Sequence, residues 1–470
     1  MSLLPELLLL LLALLILGLD MILPERWRAG LGWVTAVGTG GILAVALLGG
    51  GASSADPATA HADALAFFFR ALFLLGAMLA VLISIDSVGV GRRGEYYALL
   101  IFSTIGLCLM AQAADLVMLA LAIEMATIPL YILAGFLKRD SRSTEAGLKY
   151  FLFGATASAV MWYGFSLLYG FTGQTDLTAA AVALAAADPA MLLAAAIPVL
   201  VGLGFKVAMV PFHFWAPDVY EGAPIPIAAF LSTAVKAAGF AVLLRILLAV
   251  FPPASASYWG LLIAILSAVT MTLGNLLAMV QKNIKRLLAY SAIAHAGYAL
   301  IGLVTLNPDG LAATVFYLLT YLLANLAAFA VVALVSNAGG SDDVTALAGL
   351  SRRSPAAALA LLIALLSLAG MPPLAGFAGK VFLFASAVEA GLTWLAALGA
   401  LNAILALYYY LAVLKSVYLY RAENERVAFP IPVAAALALS VCAAGILILG
   451  IAASPWFEAA IRAVRPLFPG

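Results

Sequence analysis

PVLVGLGFKVAMVPFHFW, residues 198–215, is apolar enough for a membrane helix, yet it carries a lysine, Lys206, among helix-breaking residues. Gly202, Gly204 and Pro211 interrupt it, and His213 closes it. A second stretch, SLAGMPPLAGFAGKVFLF at 367–384, repeats the pattern with Gly370, Pro372, Pro373, Gly376, Gly379 and Lys380. Irregular backbone at membrane depth survives only where it faces protein or water, never lipid. Two interrupted, lysine-bearing helices in one chain therefore point to a transport site at the middle of a helix bundle.

The rest of the chain fits this reading. Hydrophobic residues make up 66% of the 470 and charged residues 10%. Mean hydropathy is +1.15. A soluble domain needs more charge than that to wet its surface. At roughly 20 apolar residues per span, the expected fold is an all-α polytopic membrane protein with about 14 transmembrane helices. The broken stretches fall in span 7 (189–213) and span 12 (355–389). They lie five spans apart, and a repeat of five helices inverts its own topology. We therefore expect helices 1–3 within 1–95, a first repeat (spans 4–8) at 96–250, and a second, inverted repeat (spans 9–13) at 257–421. Span 14 and the tail take 430–470. Residues 176–188 have the Ala-rich character of a surface helix.

Charge placement supports the count. With 14 spans, every loop Lys and Arg falls on one face, side A, from Arg26 and Arg28 through Arg92, Arg93 and Arg286 to Arg421 and Arg426. Only Arg462 and Arg465, in the tail, fall elsewhere. Positive loops stay in the cytoplasm, so both termini are expected on the opposite side. The first apolar run has no positive leader and no small-residue cleavage site, and reads as a retained span.

A charge at a helix centre costs about 2.5–3.5 kcal/mol on insertion scales, so each buried one is a functional candidate. The strongest are Glu124 in span 5 (115–137), Lys206, Lys236 in span 8 (223–250), and Lys380. Burial disfavours an ammonium and a nearby carboxylate favours it, so a Glu–Lys pair whose separation changes would load and release protons. Lys149, His213 and His295 are weaker candidates. Lys149 lies near the side A end of span 6, where it can snorkel. His295 shares a helix face with Ser291 and Tyr298 and suits a hydrated path. Arg70, Arg245 and Lys415 lie toward span ends. The other aromatics read as packing and interface anchors.

Other chemistries find no support. There is no GxxxxGK[ST] loop for a nucleotide. His61, His213 and His295 are far apart, and Cys108 and Cys442 stand alone, so no haem or iron–sulfur arrangement is visible. A net charge of +1 makes no case for nucleic acid. Energy must come from an ion gradient or from partner subunits.

Three strings identify relatives. GLKYFLFGATASA (147–159), FHFWAPDVYEGAPIPIAAFLSTAVKAAGF (212–240) and LLAMVQKNIKRLLAYSAIAHAGY (276–298) closely resemble the subunit N family of bacterial NADH-quinone oxidoreductase, respiratory complex I. The L and M families look similar but usually carry a histidine near the position of Tyr220. The resemblance implies 14 helices in inverted repeats. It also implies proton transfer by Glu124, Lys206, Lys236 and Lys380, with Lys149 and His213 on the polar axis. It places FMN, iron–sulfur clusters and quinone in partner subunits, with none in this chain. Neighbours would be other membrane subunits and phospholipids of the bacterial inner membrane. Two competing readings are a subunit of a multi-subunit cation/proton antiporter and a pure scaffold of the membrane arm.

Overall fold

The computed structural model describes residues 3–49, 63–185, 187–250, 256–339, 341–421 and 430–468. His61 and Arg426 lie outside the described residues. The described chain is helical, and strand-like pairing is confined to two isolated bridges. Among the described residues, thirteen helices are long and apolar enough to cross a membrane. A fourteenth crossing is split in two.

We number the helices α1 Leu4–Ile22, α2 Leu31–Leu48, α3 Ala64–Ile85, α4 Gly94–Gln112, α5 Leu116–Ala134 and α6 Ser141–Thr172. Then come α7 Leu177–Leu184, α8 Pro189–Val207, α9 Trp215–Gly222 and α10 Ile225–Leu248. The second half holds α11 Ala256–Ala278, α12 Ile284–Val304, α13 Pro308–Gly339, α14 Pro355–Ala369, α15 Ala375–Glu389 and α16 Thr393–Leu419. The chain closes with α17 Val433–Ile451 and α18 Ala453–Val464. Span 7 is thus α8 and the broken stretch after it, α9 lies in the connection that follows, and span 12 is α14 plus α15. The surface helix expected within 176–188 is α7, capped by Asp176, whose side chain accepts from Ala179 N.

Span 6 begins earlier than expected. Asp140 caps α6 by accepting from Arg142 N, which starts the helix six residues before the apolar run. The tail after span 14 is not featureless. α18 turns Ala460, Ala463 and Val464 inward and stacks Phe457 on Phe382 of α15 at 4.1 Å.

The two five-helix repeats carry the same clip on opposite faces. At the start of α5, Leu116 N donates to Thr175 O (2.8 Å) and Leu177 N to Ala114 O (2.9 Å), which pairs Asp115 with Asp176. At the start of α12, Ile284 N donates to Asp342 O (2.8 Å) and Val344 N to Lys282 O (2.9 Å), which pairs Asn283 with Asp343. Asp115 and Asn283 are also the N-caps of those helices, each accepting from two backbone amides. Aligning the clips aligns the packing. A Cβ on Gly106 would meet Ala126 N at 2.3 Å, and one on Gly274 would meet Ala294 N at 2.6 Å. Both glycines let the repeat's first helix lie directly on its second. The same register sets Glu124 opposite Ala292 and Thr127 opposite His295.

Burial locates the centre of the bundle. α10, α12 and α13 are buried along nearly their whole length, whereas α1, α2, α6, α16 and α17 bury less than half and turn apolar side chains outward. Lys236 and His295 therefore sit on the innermost helices.

Candidate functional site

The first break stops α8 just after Lys206. Ala208 takes a left-handed conformation (φ 56°), and Met209 N turns back to Gly204 O at 2.8 Å. Trp215 of α9 reaches across the break and donates Nε1–H to Phe205 O at 3.1 Å. The ring packs on Phe205 and Tyr150, with centres 5.0 and 4.8 Å apart. Lys206, 6% exposed, then meets α5, where its Nζ donates to Thr127 Oγ1 at 3.1 Å. The Thr127 hydroxyl is itself bonded to Ile123 O.

Glu124 and Lys206, expected as a pair whose separation changes, are each bonded to a different hydroxyl. Glu124 is half-buried and accepts from Ser158 Oγ of α6 at 2.9 Å. Glu124 and Thr127 stand three residues apart, about 4.5 Å along the helix axis. The ammonium therefore rests one turn from the carboxylate, and a short shift of either side chain would bring them together.

Lys236, 2% exposed, is the first residue of a regular segment, Lys236–Arg245, inside α10. The turn before it, Leu231–Val235, is wound as a π-helix. Its Nζ donates to the backbone oxygen of Ala292 on α12, so the lysine of the first repeat is seated on the second. Gly239 brings α10 against the end of α8. A Cβ there would lie 2.8 Å from Val207 Cγ1 and 3.2 Å from Lys206 Cβ. The two lysines thus lie on directly touching helices.

The second break is built differently. α14 ends on Gly370 at φ +90°, where a Cβ would lie 2.9 Å from Lys380 Cδ. Lys380 directly follows Gly379, the last glycine of this break. It lies in the second turn of α15 and reaches back, donating to Leu368 O (3.0 Å) and Ala369 O (2.9 Å). These are final carbonyls of a helix, without intrahelical partners and at its negative end. Both break lysines therefore sit where a first half-helix stops, although they come from opposite sides of the gap. The Lys380 ammonium also lies 4.8 Å from the Tyr298 ring centre.

His295 stands between Lys236 and Lys380 in the inner helices. Its Nδ1 shares a hydrogen bond with Tyr317 OH at 2.6 Å, and its Nε2 with Tyr410 OH at 3.2 Å. Tyr410 OH continues to Ser291 Oγ. The expected His295–Ser291 face is real, but a tyrosine from α16 joins the two. Nearby, Asn275 Nδ2 donates to Tyr298 OH and to Asn402 Oδ1, each at 3.1 Å. Thr127, Ser158, Tyr317, Tyr410 and Asn275 were not singled out in the sequence. Hydroxyls and amides are cheap in apolar runs, and tyrosines read as packing.

Tyr410→Phe keeps the ring and removes the shared hydroxyl. Leaving a buried polar group unpaired costs about 1–3 kcal/mol. We expect an assembled protein with a lowered Tm and reduced proton transport, measured in vesicles beside the Tm. Unchanged transport would take Tyr410 out of the path.

Lys149 is not on this inner line. It lies at side A, pairing with Glu145 at 2.7 Å and Asp218 at 2.6 Å. Asp218 also pairs with Arg286 of the second repeat at 2.7 Å, and Arg286 with Glu221 at 2.8 Å. Nine residues of α6 separate Lys149 from Ser158, roughly 13 Å of helix. Partial burial works against the Asp218 carboxylate, but hydrogen bonds from Lys149 and Arg286 hold it below the usual carboxylate range. His213 lies within the first break, 3% exposed, with no partner at Nδ1. The side chain that bonds the end of α8 is Trp215, not His213. Arg70 binds Glu6 at 2.9 Å, and Arg245 binds Asp63. Among the described residues, no group of three His, Cys, Asp or Glu is placed to hold a metal.

Comparison with known proteins gives this geometry a context. A family profile described as "NADH:quinone oxidoreductase/Mrp antiporter, TM" matches residues 113–406. The chain is 43% identical over 468 residues to NADH-quinone oxidoreductase subunit N of Trichlorobacter lovleyi, covering 98% of this chain and 96% of that one. It is 45% identical to the subunit of the same name from Heliobacterium modesticaldum, over 86% of each. A chain of respiratory complex I from Thermus thermophilus with bound aureothin superposes with a TM-score of 0.83 at 38% identity, covering 98% of this chain and 100% of that chain. A chain of the Mrp complex from a Dietzia species superposes at 0.86 with 21% identity, over 99% and 97%, a likeness of fold alone.

Proposed function

Because the chain belongs to the subunit N family of NADH-quinone oxidoreductase, we propose that Glu124, Lys206, Lys236, His295 and Lys380 form the line along which it moves protons. It is a multi-pass, antiporter-like membrane-arm subunit of a translocase, enzymatic as part of that complex. FMN, iron–sulfur clusters and quinone belong to partner subunits in this reading, and electron transfer happens there. Other membrane-arm subunits are its neighbours, and phospholipids of the bacterial inner membrane cover the remaining apolar faces. Side A is cytoplasmic, with both termini periplasmic. The units at 1–95, 96–250, 257–421 and 430–470 divide the work, and the two repeats supply one half-channel each.

The observation that carries this reading is the seating of the three lysines. None rests on a carboxylate. Lys206 lies on a hydroxyl, while Lys236 and Lys380 lie on backbone carbonyls. A static structural charge needs a permanent counter-ion to offset burial. Neutral seats allow the proton to leave. Two unit charges that move from about 8 Å to about 4 Å apart change their interaction by about 2 kcal/mol at an effective dielectric of 20. Closing Glu124 onto Lys206 would therefore retune Lys236 on the touching helix. Lys236 would then trade its proton with Lys380 through the Tyr410–His295–Tyr317 cluster.

The test replaces Glu124, Lys206, Lys236 and Lys380 together with neutral residues in the whole complex. The expected result is correct assembly with proton transport lost through this subunit. An assembled complex that transports at full stoichiometry overturns the proposal.

A further inference from the structure

The segment that carries Lys236 ends on a second charge, Arg245, and both ends are tied to other helices. At one end Lys236 Nζ holds Ala292 O. At the other, roughly 13 Å along the axis, the buried Arg245 makes three hydrogen bonds. Nε donates to Ala111 O at 2.6 Å, Nη1 to Asp63 Oδ2 at 2.9 Å and Nη2 to Asp63 Oδ1 at 2.7 Å. Ala111 O belongs to the last turn of α4, where carbonyls lack helical partners. Asp63 caps α3 and accepts from Ala66 N at 2.8 Å with the same Oδ1. π-Helical turns flank the segment on both sides, Leu231–Val235 before it and Ile246–Val250 after it. Such turns are places where a helix can change register.

We propose that Arg245, held by Asp63 and Ala111, is a positioning residue that sets the axial register of the Lys236-bearing segment, and so decides whether Lys236 meets Ala292. This rests on the reading of Lys236 as a proton carrier. A rigid ten-residue segment between two looser turns moves as a unit. A fork of three bonds at one end is the contact that must yield before the lysine at the other end shifts. The anchor lies on α3 and α4, so the N-terminal helices take part in the first repeat's work. Movement of α3 against α10 would be felt at Lys236.

Asp63→Asn is the informative variant. Asparagine caps a helix as well as aspartate, so α3 keeps its start while Arg245 loses its counter-charge. The variant is made in the whole complex, beside Arg245→Gln, Arg245→Lys and Lys236→Ala. Subunit composition, protons moved per NADH oxidised, and hydrogen exchange of peptide 236–245 are measured. We expect exchange in that peptide to rise about tenfold and protons per NADH to fall by about half, with subunit composition unchanged. Arg245→Lys, which keeps the charge but not the fork, should fall between the variant and the parent.

If Arg245→Gln does not assemble, Asp63→Asn and Arg245→Lys carry the decision. Exchange and transport both at parental values in an assembled Asp63→Asn complex overturn the proposal. Full transport in Lys236→Ala would instead sink the proton-carrier reading. Exchange of peptide 236–245 would still judge whether Arg245 holds the segment.

Discussion

An assembled complex carrying Lys236→Ala should lose coupled proton transport by about tenfold or more, equivalent to at least about 1.4 kcal/mol of barrier. Lys236 is the meeting point of the two repeats. It extends from the first repeat and rests on the Ala292 carbonyl of the second. In the aligned repeats Ala292 occupies the place that Glu124 holds in the first. The second repeat thus offers a neutral acceptor where the first offers a carboxylate. Without the amine, no titratable group bridges the two halves at that level. The Ala292 carbonyl lies within α12, so removing the lysine leaves the helix ladder intact, and Tm should change little. The measurement is proton uptake by reconstituted vesicles beside the rate of NADH oxidation. Full transport with a normal rate would show that protons bypass this lysine.

Lys380 should separate two roles through two substitutions. In Lys380→Met, the carbonyls of Leu368 and Ala369 lose their donors in the bundle interior. An unpaired buried carbonyl costs about 1–3 kcal/mol, so this variant should lose stability and transport together. Lys380→Arg keeps the charge and can still donate to both carbonyls. A guanidinium does not give up its proton at working pH. The arginine variant should therefore assemble with near-parental stability and fail to transport. Thermal unfolding of the purified complex beside vesicle assays reads both outcomes. Transport retained with arginine would make Lys380 a fixed charge that closes the end of α14, with no part in proton exchange.

Much of this was legible in the residues. Apolar runs of spanning length, with every loop cation on one face, gave the helix count. Gly and Pro near Lys206 and Lys380 marked both breaks five spans apart, because such residues cannot continue a lipid-facing helix. The four strongest ionisable candidates stand out because charge is expensive in oil. The partners were harder to see. Lys206 meets Thr127 and not Glu124 because α8 stops at Val207, and where a broken helix stops is set by the Ala208 turn and the Trp215 cap. Lys149 reads in sequence as a residue near the side A end of span 6, and only the resemblance implies a place for it on the polar axis. The Asp140 cap starts that helix earlier and leaves Lys149 among the side A charges. Tyr317 and Tyr410 are indistinguishable from packing aromatics in sequence. Only the crossing of α12, α13 and α16 turns their hydroxyls toward one imidazole.

The Lys380 seat has a directional consequence. Two of the three hydrogens on its nitrogen are claimed by the Leu368 and Ala369 carbonyls. Oxygens that only accept cannot hand a proton back. Exchange is left to the third position, beside the Tyr298 face and toward the imidazole cluster. A group with a single open corner receives and releases from the same quarter, so vectorial traffic requires the surroundings to switch while the amine stays put.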